Sequence, residues 1–512
     1  MPRKEKYLTK DEVEYTKKIS MLEGSSTSVT TGFGDQYIIP FAVKLGASSG
    51  EIAFLSSFPT FFGSLSQIIG SKLTEIKKDR KKIVSMFVTL QAFTLLPLFV
   101  VPFLIDSIFA LTFIFSLYLV LGNLASPSWN SWMGDLIPEG ERANYFSRRN
   151  KKTTLALMLS VIAAGLILNY FESINIWWGF AVLFTIALIT RAYAAFLFTK
   201  HYEPAFIVEE SEKISFTKFM THMTENNFGN FVIFRSLMSI AVMISAPFFA
   251  VYMLKNLGFT YIQFSVVVLV PMLIKFLTVM YWAKYADRFG NKSIIFISGI
   301  LISLIPLSWF IVGMFLSGSE AVFYFIILAE ALSGFAWAGF ELATFNYMLE
   351  NTKSGNRARL HSYFTLFFGT AVLIGGLAGA GLTKVFSTTN GQGLLWIFLV
   401  SFVLRFLVSV LFSSRLKESR VHYKVREGRL FYEVVIHRPL GFTINTTMTG
   451  IALLENKLEK ASKPLVKFFR DPLVMLGLEE PKPKVLPMKK RVDAQKTHKN
   501  QNNISKKNKK RK

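Results

Sequence analysis

Long apolar runs alternate with short polar ones along this chain. A helix needs about 20 residues to cross the roughly 30 Å hydrocarbon layer of a bilayer. Apolar stretches of that length occur at residues 19–43, 52–70, 83–105, 108–133, 153–170, 177–198, 231–254, 261–281, 294–315, 322–349, 360–385 and 394–412. Six precede and six follow a polar, partly amphipathic linker over 199–230. The pattern predicts an all-α polytopic membrane protein of about twelve transmembrane helices, with bundles over 19–198 and 231–412. The first span is the least apolar, because residues 24–31 are almost wholly polar.

Composition agrees: 51% of the 512 residues are hydrophobic and 51 are Phe, more apolar surface than a water-soluble fold needs. Short loops rich in Lys and Arg stay on the cytoplasmic side of a membrane. Here KLTEIKKDRKK, SRRNKK, AKYADRFGNK and NTKSGNRAR follow the second, fourth, eighth and tenth spans, while Lys44, Lys255 and Lys384 are the clear cations of the alternate loops. Both termini are therefore expected in the cytoplasm, in a cell membrane. The charged residues 1–18 show no cleavable signal pattern, which leaves the first span as the membrane-entry signal.

The net charge of +25 invites a nucleic-acid reading, but residues 482–512 hold thirteen Lys or Arg against the single Asp493. That low-complexity tail, 481–512, is expected to be disordered and to lie near anionic lipid headgroups; no nucleic-acid partner is expected. Between it and the last span, residues 413–480 form a small cytosolic appendage, with strand-like alternation over 426–451 and a helical pattern over 452–469. The absence of Cys removes disulfides and thiol chemistry.

Sliding one half over the other reveals a repeat. Leu45-Gly46 recurs as Leu257-Gly258, Pro59 as Pro271 and Glu75 as Asp287, each 212 positions on. Asn130 and Asn346, Arg142-Ala143 and Arg357-Ala358, and Arg191 and Arg405 continue the series at offsets of 216, 215 and 214. An ordered series of this kind implies a duplicated six-helix unit. With WAKYADRFGNK between the eighth and ninth spans, where Asp287, Arg288, Gly290 and Lys292 fit a known loop motif, the chain resembles the major facilitator superfamily of secondary transporters. The resemblance covers residues 15–415. It implies two pseudo-twofold-related bundles, a solute site near the midplane, and a cavity lined by the first, fourth, seventh and tenth helices. It also implies that Glu75 faces the start of the eleventh helix near Arg357, and Asp287 the start of the fifth near Arg142. These contacts, with Arg288 and Gly290, would close the cytoplasmic side.

Ionisable side chains inside spans are costly to bury and mark candidate sites. Asp35 lies among glycines that would let the first helix unwind. Glu330 and Glu341, eleven residues apart, fall on roughly one face about 16 Å apart and could be two stations of one pathway. Alternatively Asp35 or Glu330 merely caps a helix or pairs with Lys275, which could itself serve as a charge-pairing switch. Asn123, Trp129, Asn130, Trp337 and Asn346 could line the cavity and orient a solute, or hold helices together. Arg191, Arg405 and Arg235 are expected nearer the cytoplasmic end, snorkelling or bracing. The glycine run at 375–379 is expected to allow close helix approach.

No HExxH, Walker loop, GxSxG or Cys/His cluster occurs, so an enzyme is not expected, nor a cofactor. The reading is a secondary active transporter of a small solute, acting as a monomer by alternating access, with proton coupling through a cavity carboxylate. Efflux of small organic or amphipathic compounds is slightly favoured. A membrane sensor or scaffold on the same fold, and a lipid flippase, are the alternatives.

Overall fold

The computed structural model describes residues 8–104, 107–204, 215–352, 354–386, 392–413 and 415–418. The expectations for 426–451, 452–469 and 481–512 lie outside the described residues. The chain divides into two units, Met1–Val425 and Arg426–Lys512, and the first holds every helix described below.

Helices α1 (Lys10–Phe33) and α2 (Ile38–Lys44) make one rod broken by a 3-10 turn at Asp35–Tyr37. Then come α3 (Ser49–Lys77), α4 (Arg80–Leu104), α5 (Ile108–Leu136), α6 (Glu139–Glu172) and α7 (Ile176–Lys200). A short α8 (Phe216–Thr221) lies in the linker. The second half repeats the plan: α9 (Asn227–Met243), α10 (Ala246–Val251) and a π turn at Tyr252–Asn256 form a broken seventh rod. It is followed by α11 (Tyr261–Phe289), α12 (Asn291–Phe315), α13 (Ala321–Glu350), α14 (Ser354–Val385) and α15 (Gly393–Ser413). Among the described residues there are no strands, and eleven helices are long and apolar enough to cross a membrane. The first rod completes the twelve, and its polarity has a structural cause. Ser20, Glu23, Ser26 and Thr30 are buried along one side of α1, which packs against α6 and α7. The outward surface carries exposed Phe93, Phe113, Leu159, Leu277, Met280 and Leu328. That much exposed grease suits lipid rather than water.

The duplication is preserved in atomic detail. After the first rod, Gly46 turns at φ +85° and Ser48 caps α3 in a capping box with Glu51. After the seventh, Gly258 turns at φ +65° and Thr260 caps α11 with Gln263. A positive φ is cheap for glycine alone, which explains why the Leu-Gly pair recurs. Pro59 and Pro271 both sit inside helices.

Where each half ends, the chain makes the same three contacts. The Tyr202 N–H donates to Thr16 Oγ1 (3.2 Å), its carbonyl accepts from Trp132 Nε1 (3.0 Å), and Glu203 accepts from the Arg80 N–H (2.9 Å). In the second half the Lys417 N–H donates to Asn227 Oδ1 (2.9 Å), its carbonyl accepts from Tyr347 (2.9 Å), and Glu418 accepts from the Lys292 N–H (2.9 Å). Each clasp ties the first, third, fourth and sixth helices of its bundle together at the side bearing the basic loops.

At the opposite, charge-poor side the two halves are joined to each other. The Tyr37 hydroxyl lies 2.6 Å from Ser265 Oγ and donates to Val161 O at 2.8 Å. Lys255 Nζ donates to Ala47 O at 2.6 Å. Phe180 and Tyr261 meet edge to face at 6.0 Å. The glycine run in α14 acts as expected and serves two neighbours. A Cβ on Gly375 would stand 2.6 Å from Ile240 O in α9, and one on Gly376 2.3 Å from Ser57 Oγ in α3. The main pairings across the halves are α3 with α14 and α6 with α11, with α10 also touching α2 and α3.

Candidate functional site: buried charge in the two bundles

In the first half, polar side chains from five helices form one chain of contacts. Glu23 on α1 is buried and paired with Arg149 on α6 (3.1 Å), whose Nε also donates to Ser20 O (3.2 Å). The guanidinium lies 4.6 Å from the Trp129 ring centroid, giving a cation–π contact. Thr27 bridges upward, donating to Glu23 (3.2 Å) and accepting from Arg191 Nη1 (2.9 Å). Arg191 in turn holds Gln91 on α4 (Nε to Oε1, 2.9 Å), and Gln91 donates to Tyr118 O (2.9 Å). The circuit ends at Asp35, which bonds the side chains of Tyr118 and Thr31 and feels the Arg191 charge. Asp35 sits in the 3-10 turn that follows Gly34, so the glycine-flanked stretch does break its helix.

The second half is built differently. Glu330 on α13 accepts from Trp309 Nε1 on α12 (2.9 Å), inside an aromatic cage of Phe249, Tyr252 and Phe398 around Trp309. Glu341, eleven residues on, turns instead to α11 and pairs with Lys275. The two carboxylates therefore face different neighbours. Lys275 takes neither Asp35 nor Glu330 as its partner. The Lys275 and Glu341 side chains are 43% and 48% exposed although both sit well within long apolar helices. Exposed charge at that depth faces water rather than hydrocarbon. Arg405 is 2% exposed and donates to Ser245 Oγ (2.8 Å) and to the carbonyls of Ile302 and Val242 (3.3 Å each). Arg191 and Arg405 both lie past the middle of their helices and brace α7 and α15 without snorkelling.

The other expected residues are scattered. Asn123 donates to Leu119 O (2.9 Å) and lies against Gly63. Asn130 is exposed and Asn346 half-buried, while Trp337 meets Phe340 edge to face at 5.6 Å. Glu75 and Asp287 are exposed near the ends of α3 and α11. Arg288 stacks on Phe289, Gly290 turns at φ +89°, and Arg142 Nε donates to Ile137 O (3.0 Å). The Arg357 side chain lies outside the described residues.

Sequence reasoning missed three groups. Glu23, inside the first span, was not singled out among its ionisable side chains, and Arg149 lay in a run read as loop charge. His201, expected in a loop, is 1% exposed between Trp132 and Phe198, with neither ring nitrogen bonded among the described residues. Burial, with Lys81 and Arg149 nearby, holds its pKa down to about 4.

Two six-helix bundles with duplicated clasps, meeting across a shared face and carrying charge in their spans, define a two-domain polytopic transporter fold. The Major Facilitator Superfamily profile matches residues 25–237 and 231–478, and the chain belongs to that family. Similar solved structures include a variant of the nucleoside transporter NupG, at TM-score 0.64 and 12% identity, covering 78% of this chain and 100% of that one. A bacterial homologue of the human lysosomal transporter Spinster matches at 0.58 and 16%, covering 81% and 100%. A bacterial homologue of the iron transporter ferroportin matches at 0.57 and 17%, covering 78% and 99%. No curated protein matches the chain.

Proposed function

We propose that this protein is a proton-coupled secondary transporter of a small organic solute, with its basic loops in the cytoplasm and export as the working direction. The observation that carries the reading is the pairing of a sealed charge-poor edge with the water-exposed Lys275–Glu341 pair inside the spans. That combination suits a cavity open to the basic side. In the alternate state Tyr37 would part from Ser265, and Glu75 and Asp287 would close the cytoplasmic side against Arg357 and Arg142.

Asp35 is the proton carrier of this scheme. It stands at a helix break, two residues from the seal residue Tyr37, so opening the seal changes its access to water. Tyr118 and Thr31 give the carboxylate hydrogen-bonding partners, with the Arg191 charge nearby. Lys275–Glu341 is the charge switch in the other half, and Glu330 anchors α12 to α13.

The test is solute uptake into proteoliposomes under an imposed pH gradient. Gradient-driven flux is expected for the native protein, with gradient-independent residual exchange for Asp35→Asn. Gradient-independent flux in the native protein, or undiminished coupling in Asp35→Asn, refutes proton coupling through Asp35.

A further inference from the structure

Four arginines packed among the helices each hydrogen-bond two or more groups. Arg80 meets Asp135, Glu203, Ser131 and Pro204 O. Arg149 meets Glu23 and Ser20 O, Arg191 meets Gln91 and Thr27, and Arg405 meets three oxygens. Arg235 on α9 makes one hydrogen bond among the described residues, to Ser239 Oγ at 3.2 Å. A guanidinium carries five N–H donors in a planar fork that matches carboxylate or phosphate. Arg235 is only partly buried, so its unbonded donors are open to water inside the span, where an anion can replace that water as their acceptor.

The surroundings say which acceptor. Arg235 lies between two aromatic rings, with its guanidinium carbon 5.1 Å from the Phe340 centroid and 5.4 Å from that of Phe368. These rings orient the fork and supply a flat apolar surface beside it. The nearby carboxylate whose charge reaches Arg235 is Glu341, and Lys275 already holds it. The cluster of Arg235, Lys275 and Glu341 therefore has an excess of one positive charge beside water-exposed side chains. Arg235 is eight residues from the start of α9, about 12 Å along the helix at 1.5 Å per residue.

We propose that Arg235 is the anchor for the anionic group of the transported solute, and that the solute is a small organic monoanion with a flat apolar portion lying against Phe340 and Phe368. The inference rests on the transporter reading and narrows its substrate class. Bidentate contact with Arg235 neutralises the excess charge, and the rings select an apolar body. The solute's approach also competes with Glu341 for the two cations, which couples occupancy to the Lys275–Glu341 pair.

The full chain, purified in detergent, is titrated with phenylacetate and with its uncharged isostere phenylacetamide, reading thermal stabilisation and tryptophan fluorescence. The expected result is saturable stabilisation by phenylacetate, little or none by the amide, at least tenfold weaker binding in Arg235→Gln, and partial recovery in Arg235→Lys. Equal binding of acid and amide, unchanged acid binding in Arg235→Gln, or no phenylacetate binding by the native protein overturns the proposal. If Arg235→Gln does not fold, the acid–amide comparison in the native protein and in Arg235→Lys decides. Binding is read without a membrane or gradient, so loss of the proton-coupled reading would leave this result standing and the reverse also holds.

Discussion

Glu203 and Glu418 stand 215 positions apart and play the same structural part, each accepting at 2.9 Å a backbone N–H from the first turn of the third helix in its bundle. One difference separates them. Glu203 also pairs with the side chain of Arg80, which has no exposed surface, whereas the second half places Lys292 there. Removing Glu203 thus strips a partner from a buried cation, while removing Glu418 deletes a cap.

Glu203→Ala is expected to destabilise the protein by on the order of 2–3 kcal/mol, and Glu418→Ala by about 1 kcal/mol. Melting curves of the two purified variants check this. Equal losses would mean that Asp135 alone satisfies Arg80.

The Glu23–Arg149 pair should behave as a unit. Glu23→Gln leaves a buried guanidinium short of a countercharge and is expected to cost roughly 3–5 kcal/mol. Glu23→Gln combined with Arg149→Gln should cost less than the two single changes added together. A double-mutant cycle on chemical unfolding measures the coupling, and additive losses would show that the pair is energetically inert.

His201 gives a pH dependence of known sign. Its pKa is held down to about 4, against about 6.5 for an exposed imidazole. Between those values the unfolded chain binds a proton that the folded chain does not. The stability contributed by the neutral ring is fully present above pH 6.5 and is lost as pH falls towards 4. Melting at pH 7.5 and pH 5 should therefore show a larger drop for the native protein than for His201→Phe. Identical slopes would place the acid sensitivity elsewhere.

The membrane spans were readable because bilayer thickness imposes a length and an apolarity on each helix separately. The repeat was readable because duplication kept local devices in place, such as the Leu-Gly turn before Ser48 and Thr260. What escaped were contacts between distant helices. The polar stretch 24–31 looked like an argument against a span until α7 supplied Thr190, 2.9 Å from Thr30, and Glu23 beside it gained a partner only when α6 supplied Arg149. Lys275 was legible as a charge in need of a partner, but that partner, 66 residues away, was not. Glu330 and Glu341 share a helical face in the pattern, and only packing sends one to Trp309 and the other to Lys275.

The central claim is that the halves exchange contacts between the two sides of the membrane. The chain has no Cys, so spin labels can be placed without background. Label pairs at Leu45 and Asn256 report the sealed edge, and pairs at Lys77 and Lys284 the basic side. Pulsed electron-spin distances, measured at pH 8 and pH 5 and again in Tyr37→Phe with Ser265→Ala, test the exchange directly. The account predicts two populations of opposite sign: a longer Leu45–Asn256 distance accompanies a shorter Lys77–Lys284 distance, and loss of the Tyr37–Ser265 bond, worth about 0.5–1.5 kcal/mol, enriches that state roughly two- to tenfold. Distances that stay single and fixed under every condition, or that lengthen together on both sides, would contradict it.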